Sequence, residues 1–421
     1  YTYYTIKNMK HKFSRILCAA LYCAPLVVAA QNNEKAAPLQ QYYQEGKTLF
    51  QEKAYSAAIA PLRAFLQKAE AEGSQPSHTG EVLEAEYMLA CSAYEMRDGR
   101  SNEFLQNFLD NHPDTPHANR IYALMASNYF FAQDYDNALA LFNASDLSLL
   151  ADNERDDMTY RRAMCYLETG KVKEAIWFET LKNTSTRYET DCTYYLSYIR
   201  YTQQRYDEAL NGFLTLQDND KYQALVPYYI AEIYLVKKQY DKAEIVAQNY
   251  LSAYPGNENT AEMYRIIGSA CYHMGKYHEA MQAFEQNGAA TRRDARYMYG
   301  LASYHCGVYS QVPVLLSSVT QEKDALSQDA YLHMGLAYLK LAEKNKARMA
   351  FEQAAASDAN RAIKEQAYYN YALCIHETSY SAFGESVTVF EKFLNDFPQS
   401  AYADKVSDYL VEVYMETRSY E

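Results

Sequence analysis

The sequence predicts an all-α fold: a solenoid of about ten helix-turn-helix repeats over residues 39–421. Two observations carry this. Only 14 Gly and 10 Pro punctuate 421 residues, which leaves long segments free of helix breakers. A short phrase also recurs: "DYDNALALF" at 134–142, "RYDEALNGF" at 205–213 and "KYHEAMQAF" at 276–284, with a looser "QYDKAEIVA" at 239–247.

The phrase sets a register. Its anchor, the residue three before the Ala, falls at Tyr55, Arg100, Tyr135, Val172, Tyr206, Tyr240, Tyr277, Tyr309, Lys344, Phe383 and Tyr420. Most spacings lie between 34 and 37, and the one gap of 45 contains the turn-rich "AEGSQPSHTG" (71–80). Three residues after the anchor comes Ala58, Ala138, Ala175, Ala209, Ala243, Ala280 or Ala347. Seven after it comes a bulky apolar residue: Leu62, Phe142, Phe213, Phe284, Leu316 or Phe351. Nine before it stands a small one, such as Gly46, Cys91, Ala126, Ala163, Ala231, Gly268, Gly300 or Gly335. Small against large lets two helices approach closely and fills the gap. Polar breaks such as "TQQR" (202–205) and "VKKQ" (236–239) end the first helix, so each unit is two antiparallel helices. One hairpin cannot bury its apolar face alone, and stacking ten gives a continuous core.

This pattern resembles the tetratricopeptide repeat family over residues 39–421. The resemblance implies a right-handed superhelical solenoid that binds other proteins and performs no chemistry. Departures are few: the large aromatic early in the first helix is Tyr, as at Tyr122 and Tyr331, never Trp. The phrase "FPQSAYADK" at 397–405 is similar to that of periplasmic repeat proteins of the cell envelope. The end of the chain, one residue past Tyr420, reads as a last repeat truncated after its first helix.

The first thirty residues read as a leader. Met9 is followed by Lys10, Lys12 and Arg15, then by an apolar run from Ile16 to Ala30 that ends in Val28-Ala29-Ala30 before Gln31. That order is a cleavable signal peptide cut after Ala30, and it predicts a periplasmic protein, with outer-membrane association as an extension. The run is 15 residues, short of the ~20 that span a bilayer. Residues 1–8 read as an upstream artefact, and 31–38 as a short linker. A lipid anchor is disfavoured, because bulky Leu17 and Tyr22 precede Cys18 and Cys23.

Four of the 40 Lys and Arg and none of the 53 Asp and Glu lie in residues 1–30, which leaves the remainder at a formal −17. This disfavours nucleic acid as a partner. Cys91, Cys165, Cys192, Cys271, Cys306 and Cys374 are widely spaced within helix interiors and read as small buried hydrophobes.

No P-loop, G-x-S-x-G, H-E-x-x-H or G-x-G-x-x-G occurs, so an enzyme is disfavoured and no cofactor is expected. The acidic run "DNERDD" (152–157) reads as a solvated turn. His273 and His305, each four residues before an anchor, supply two metal ligands at best where a site wants three or four.

The candidate binding surface is the face made by the first helices, where the resemblance places ligands. Tyr194, Tyr198 and Tyr201 share one helical face. The same two register positions, twelve and five before each anchor, give Phe130, Tyr160, Tyr228, Tyr272, Tyr297 and Tyr304, with Tyr369 and the adjoining Phe131. Such a Tyr-rich groove suits extended peptides or sugars; the alternative is that the rings fill the space between helices. The Lys–Asn pairs of a chaperone-tail clamp are absent, since the corresponding positions hold Tyr160 with Met164, Tyr194 with Tyr198, and Tyr297 with Leu301.

The expectation is therefore a non-enzymatic periplasmic scaffold that holds protein partners in the cell envelope. The alternatives are a sensory segment of a larger signalling protein and a glycan-binding uptake component.

Overall fold

Elbow chemistry defines the helical pairs. In the computed structural model, which describes residues 38–71, 79–173, 177–286, 288–378 and 384–417, nine first helices end in the same way. Lys53, Arg97, Gln133, Gly170, Gln204, Lys238, Gly275, Gly307 and Ala342 all take a left-handed backbone, with φ between 57° and 79°. Each donates its N–H to the carbonyl three residues back, and the next residue donates to the carbonyl five before itself. At Ala342 these bonds are 3.0 Å to Leu339 and 2.9 Å, from Glu343, to Tyr338. This double bond closes the helix end and satisfies carbonyls that would otherwise be orphaned. Eight of the nine residues stand two before an anchor, so the polar breaks of the sequence are these elbows.

The chain divides into two compact units, residues 1–205 and 206–421. The first contains α1 (Leu39–Gln51), α2 (Tyr55–Ala71), α3 (Thr79–Glu95), α4 (Ser101–Asn111), α5 (Ala118–Phe131), α6 (Tyr135–Ala144), α7 (Asp152–Glu168), α8 (Trp177–Thr184) and α9 (Glu189–Thr202). The second contains α10 (Tyr206–Leu214), α11 (Val226–Val236), α12 (Tyr240–Ala253), α13 (Thr260–His273), α14 (Tyr277–Phe284), α15 (Arg293–His305), α16 (Val312–Leu316), α17 (Ala325–Lys340), α18 (Lys344–Ala356), α19 (Arg361–Thr378), α20 (Glu385–Asp396) and α21 (Ala403–Thr417). A short 3-10 turn, Leu147–Leu149, follows α6, and no strand occurs among the described residues. The anchors Tyr55, Tyr135, Tyr206, Tyr240, Tyr277 and Lys344 each open a second helix.

The small-to-large register is a physical contact. A Cβ added to Gly46 would stand 2.6 Å from Leu62, one on Gly268 2.7 Å from Phe284, and one on Gly300 2.5 Å from Leu316. Each pair links the residue nine before an anchor to the residue seven after it. The Ala three after the anchor is fully buried at Ala58, Ala138, Ala209, Ala243, Ala280 and Ala347. Within the first unit α1 touches α3, α3 touches α5 and α5 touches α7. Within the second, α11, α13, α15, α17 and α19 touch in succession. The first helices thus form an inner layer in each unit.

The acidic run 152–157 is not a turn. It forms the first turn and a half of α7, where Asp152 and Glu154 suit the positive end of the helix dipole. Cys91, Cys165, Cys192, Cys271 and Cys374 are buried free thiols, and Cys306 is half-buried. The leader with its cleavage site after Ala30, the insertion core at 72–78, Ala175 and the anchors Phe383 and Tyr420 lie outside the described residues. Among the described residues no helix is long and apolar enough to cross a membrane.

Candidate functional site

The predicted aromatic positions separate into packed and half-open rings. On α9, Tyr194 and Tyr198 are only 4% and 6% exposed, and Tyr194 sits edge-on to Tyr195 at 5.3 Å. The spacing of Tyr194, Tyr198 and Tyr201 therefore marks a side of α9 that is mostly buried, with Tyr201 alone half-open. As open ligand contacts these two are corrected: their ring faces are already covered.

At the elbows one geometry recurs. Phe130 meets Tyr135 at 6.1 Å, Tyr272 meets Tyr277 at 5.8 Å and Tyr304 meets Tyr309 at 5.5 Å, with rings inclined by 58°, 63° and 66°. Each is a residue five before an anchor, steeply inclined to the anchor's ring, a favoured arrangement for aromatic pairs. Tyr228 is half-buried beside Tyr229, and Tyr369 stacks on Tyr402 at 4.2 Å.

Among the predicted positions of the first unit the exposed ring is Phe131, 57% open. The guanidinium of Arg161 lies 4.9 Å from its centre and that of Arg97 5.9 Å. Arg161 is itself held, donating to Ser127 Oγ at 2.5 Å and pairing with Asp157 at 3.8 Å. Asp157 also accepts from Arg187 and from the Tyr188 hydroxyl, both at 2.7 Å, and Tyr188 stacks on Tyr160 at 4.6 Å.

The second unit holds the tightest constellation. Tyr272 on α13 and Tyr297 and Tyr304 on α15 are half-buried beside Asp329 and His333 of α17. Tyr297 donates its hydroxyl to Asp329 Oδ2 at 2.5 Å. His333 Nδ1 lies 3.0 Å from Asp329 Oδ2 and 3.0 Å from the Asp329 carbonyl. Its ring edge points at Tyr304, at 5.6 Å and 85°. Burial pulls the His333 pKa down, but the hydrogen bonds and charge of Asp329 outweigh it, so the net shift is upward. Burial pushes the Asp329 carboxyl up, and His333 and Tyr297 bring it below its ordinary value. Burial pushes the Tyr272 phenol up to about 12. Three neighbouring hairpins thus present ring faces and a hydrogen-bonded Asp–His pair.

Arg161, Asp329 and His333 are not legible as site residues in the sequence, and Asp157 is legible there only as part of the acidic run 152–157. For Asp329 and His333 the available signal is a polar pair four residues apart within a mostly apolar first helix, on the side that meets the preceding hairpin; α7 is too rich in charge for Asp157 and Arg161 to stand out. His273 and His305 are ring-stackers: they lie on Tyr240 and Tyr277 at 4.8 and 4.1 Å. Among the described residues no group of three His, Cys, Asp or Glu could hold a metal ion.

Comparison with known proteins fits this geometry. Models described as tetratricopeptide repeat match residues 84–115, 194–258 and 329–360. No curated protein is similar in sequence. Among solved structures, YrrB, described as a TPR protein with an unusual peptide-binding site, is 19% identical over 46% of this chain and 95% of its own, with a TM-score of 0.36. PilW, a type IV pilus biogenesis factor, is 18% identical over 52% and 97%, also at 0.36. The C-terminal part of a TPR protein from Cytophaga hutchinsonii is 14% identical over 68% and 98%, at 0.38. Stacked repeats of this kind present extended surfaces to other chains. The matched segments fall in both units and share their elbows with the hairpins between them, so tetratricopeptide repeats are identified in each unit of this chain.

Proposed function

We propose that this protein is an exported, periplasmic scaffold of the cell envelope, which holds extended segments of partner proteins against the first-helix face of its repeats. The observation that carries the binding reading is the Tyr272–Tyr297–Tyr304 group with Asp329 and His333. Half-open tyrosines give a bound segment apolar faces and hydroxyls together. The rings are fixed by their neighbours before any partner arrives, so little side-chain entropy remains to be lost on binding. Export is supported by Lys10, Lys12 and Arg15, the apolar run after them and the small residues Val28 and Ala30.

Both parts can be tested with the full chain. Produced in a bacterium with an outer membrane, the protein should appear in osmotic-shock fluid with Gln31 as its first residue. Retention in the cytosol with Met9 still present would refute export. A photo-crosslinking phenylalanine analogue in place of Tyr304 should then trap a protein partner, whereas the same analogue in place of the exposed Met349 should not. Adducts only at position 349 would sink the first-helix reading.

A further inference from the structure

Among the described residues of the first unit, one buried arginine forms no ion pair. The unit's other arginines around α7 are matched: Arg120 by Glu154, Arg155 by Asp152 and Asp156, and Arg161 and Arg187 by Asp157. Arg162 is not. It is 9% exposed, and its Nε is enclosed without a hydrogen-bond partner. Asp146 attracts it electrostatically but forms no ion pair with it. The Asp146 carboxylate is turned to its own loop, where Oδ1 accepts from the N–H and hydroxyl of Ser148 at 3.0 and 2.6 Å. What faces the guanidinium is the indole of Trp177, at the start of α8, 4.1 Å from the ring centre.

A guanidinium stays charged when desolvated, because its proton affinity is so high. Burial without an anion is therefore a standing cost, which the indole face offsets only in part. The two kinds of contact use different parts of the group. Stacking uses its flat face, whereas hydrogen bonds leave from its edge in the plane. The Trp177 stack leaves that edge unspent, and a planar carboxylate is the complement that fits it with two parallel bonds.

We propose that Arg162 and Trp177 form a carboxylate-binding site on the first unit, which takes the C-terminal carboxylate or an acidic side chain of a bound protein segment. The site is separate from the tyrosine group of the second unit and does not depend on export.

Trp177 is the single tryptophan of the chain, so its emission reports on this site alone. The full-length protein is titrated with N-acetyl-dialanine bearing a free terminus, with N-acetyl-Ala-Glu-Ala-amide, with N-acetyl-dialanine amide and with inorganic phosphate. A saturable emission change is expected with the first or second probe, whichever is tighter naming the source of the carboxylate, and none with the neutral amide. Calorimetry should show at least a tenfold loss of affinity in Arg162→Met. Arg162→Lys, which keeps the charge and lacks the fork, should lose nearly as much. Arg162→Met keeps an apolar stem and removes the lone charge, so without ligand it should melt no lower than the parent. No response to either carboxylate, a response to phosphate alone, or affinity that survives in Arg162→Met would overturn the proposal. So would a ligand-free Arg162→Met that melts well below the parent, since the cation would then be structural.

Discussion

Phe351 occupies the space that a side chain on Gly335 would need: a Cβ there would stand 2.5 Å from Cε1 of the ring. Gly335 lies mid-helix in α17, where Ala would ordinarily be favoured by roughly 0.5–1 kcal/mol. The contact reverses that sign. Gly335→Ala should lower stability by about 1–3 kcal/mol, and Gly335→Ala with Phe351→Leu should recover part of it. Gly80, with nothing near its missing Cβ, is the control, and Gly80→Ala should melt no lower than the parent. Chemical denaturation of the four proteins decides the matter, and a Gly335→Ala variant as stable as the parent would contradict the close contact.

The elbow at Ala342 should yield the opposite result. Ala342 holds a φ of 61°, a left-handed conformation that costs an L-residue about 1–2 kcal/mol. Gly adopts it freely but loses more backbone entropy on folding. Ala342→Gly should therefore stabilise by about 0.5–1 kcal/mol, and the reverse change, Gly307→Ala, should destabilise by a similar amount. Thermal melts of both would show whether elbow strain is real.

The Asp329–His333 pair makes the α15–α17 contact sensitive to pH. His333 is shifted above its ordinary 6.5, so its contribution is complete below that value and is lost as pH rises through its folded pKa. Asp329 is shifted below its ordinary 3.8, so its contribution is present above that value and is lost as pH falls through its folded pKa. The pair is worth most between the two. His305, whose pKa burial and the charge of His333 push down, works against it weakly. After division by the intrinsic, base-catalysed exchange rate at each pH, the protection of α15 and α17 should be greatest near pH 5–6 and smaller at pH 8. Asp329→Asn should remove that difference, and a difference that persists in the variant would assign it elsewhere.

The half-open and packed aromatics should part company on truncation. Tyr198→Ala empties a filled site and should cost about 3–5 kcal/mol. Phe131→Ala removes an exposed ring and its cation–π contacts with exposed Arg97 and half-buried Arg161, which should cost about 1 kcal/mol. Equal melting losses in the two variants would show that exposure does not track packing here.

The sequence register located much of this fold, because each hairpin repeats the same physical problem. Gly268 and Phe284 are legible as a pair since a small residue and a large one recur at fixed distances from the anchor. The binding face was less legible. Spacings of four and seven residues mark one side of a helix, but they do not say whether that side meets solvent or a neighbouring helix. Tyr194 and Tyr297, each twelve residues before its anchor, therefore look alike in sequence, though one is buried and the other half-open. Asp329 and His333 escape notice for another reason: each is a single polar residue whose role depends on Tyr297 and Tyr304, some 30 positions earlier. The run 152–157 misleads because charge density suits a solvated turn and a helix N-terminus equally well.

The elbows are closed by main-chain atoms alone, and this distributes tolerance unevenly along the chain. Lys, Arg, Gln, Gly and Ala all serve as the closing residue, so the identity of that residue is nearly neutral to the architecture. The count of residues is not. The distance from the small residue to its large partner is fixed at sixteen in Gly46–Leu62, Gly268–Phe284, Gly300–Leu316 and Gly335–Phe351, whereas the interval between anchors ranges from 32 to 45. One residue inserted inside a hairpin would turn everything beyond it by about 100° and separate ring from glycine. The same residue inserted between hairpins would lengthen a connection. Whole hairpins are thus the natural unit of gain, loss and exchange in this chain, and drift in length collects at the seams between them.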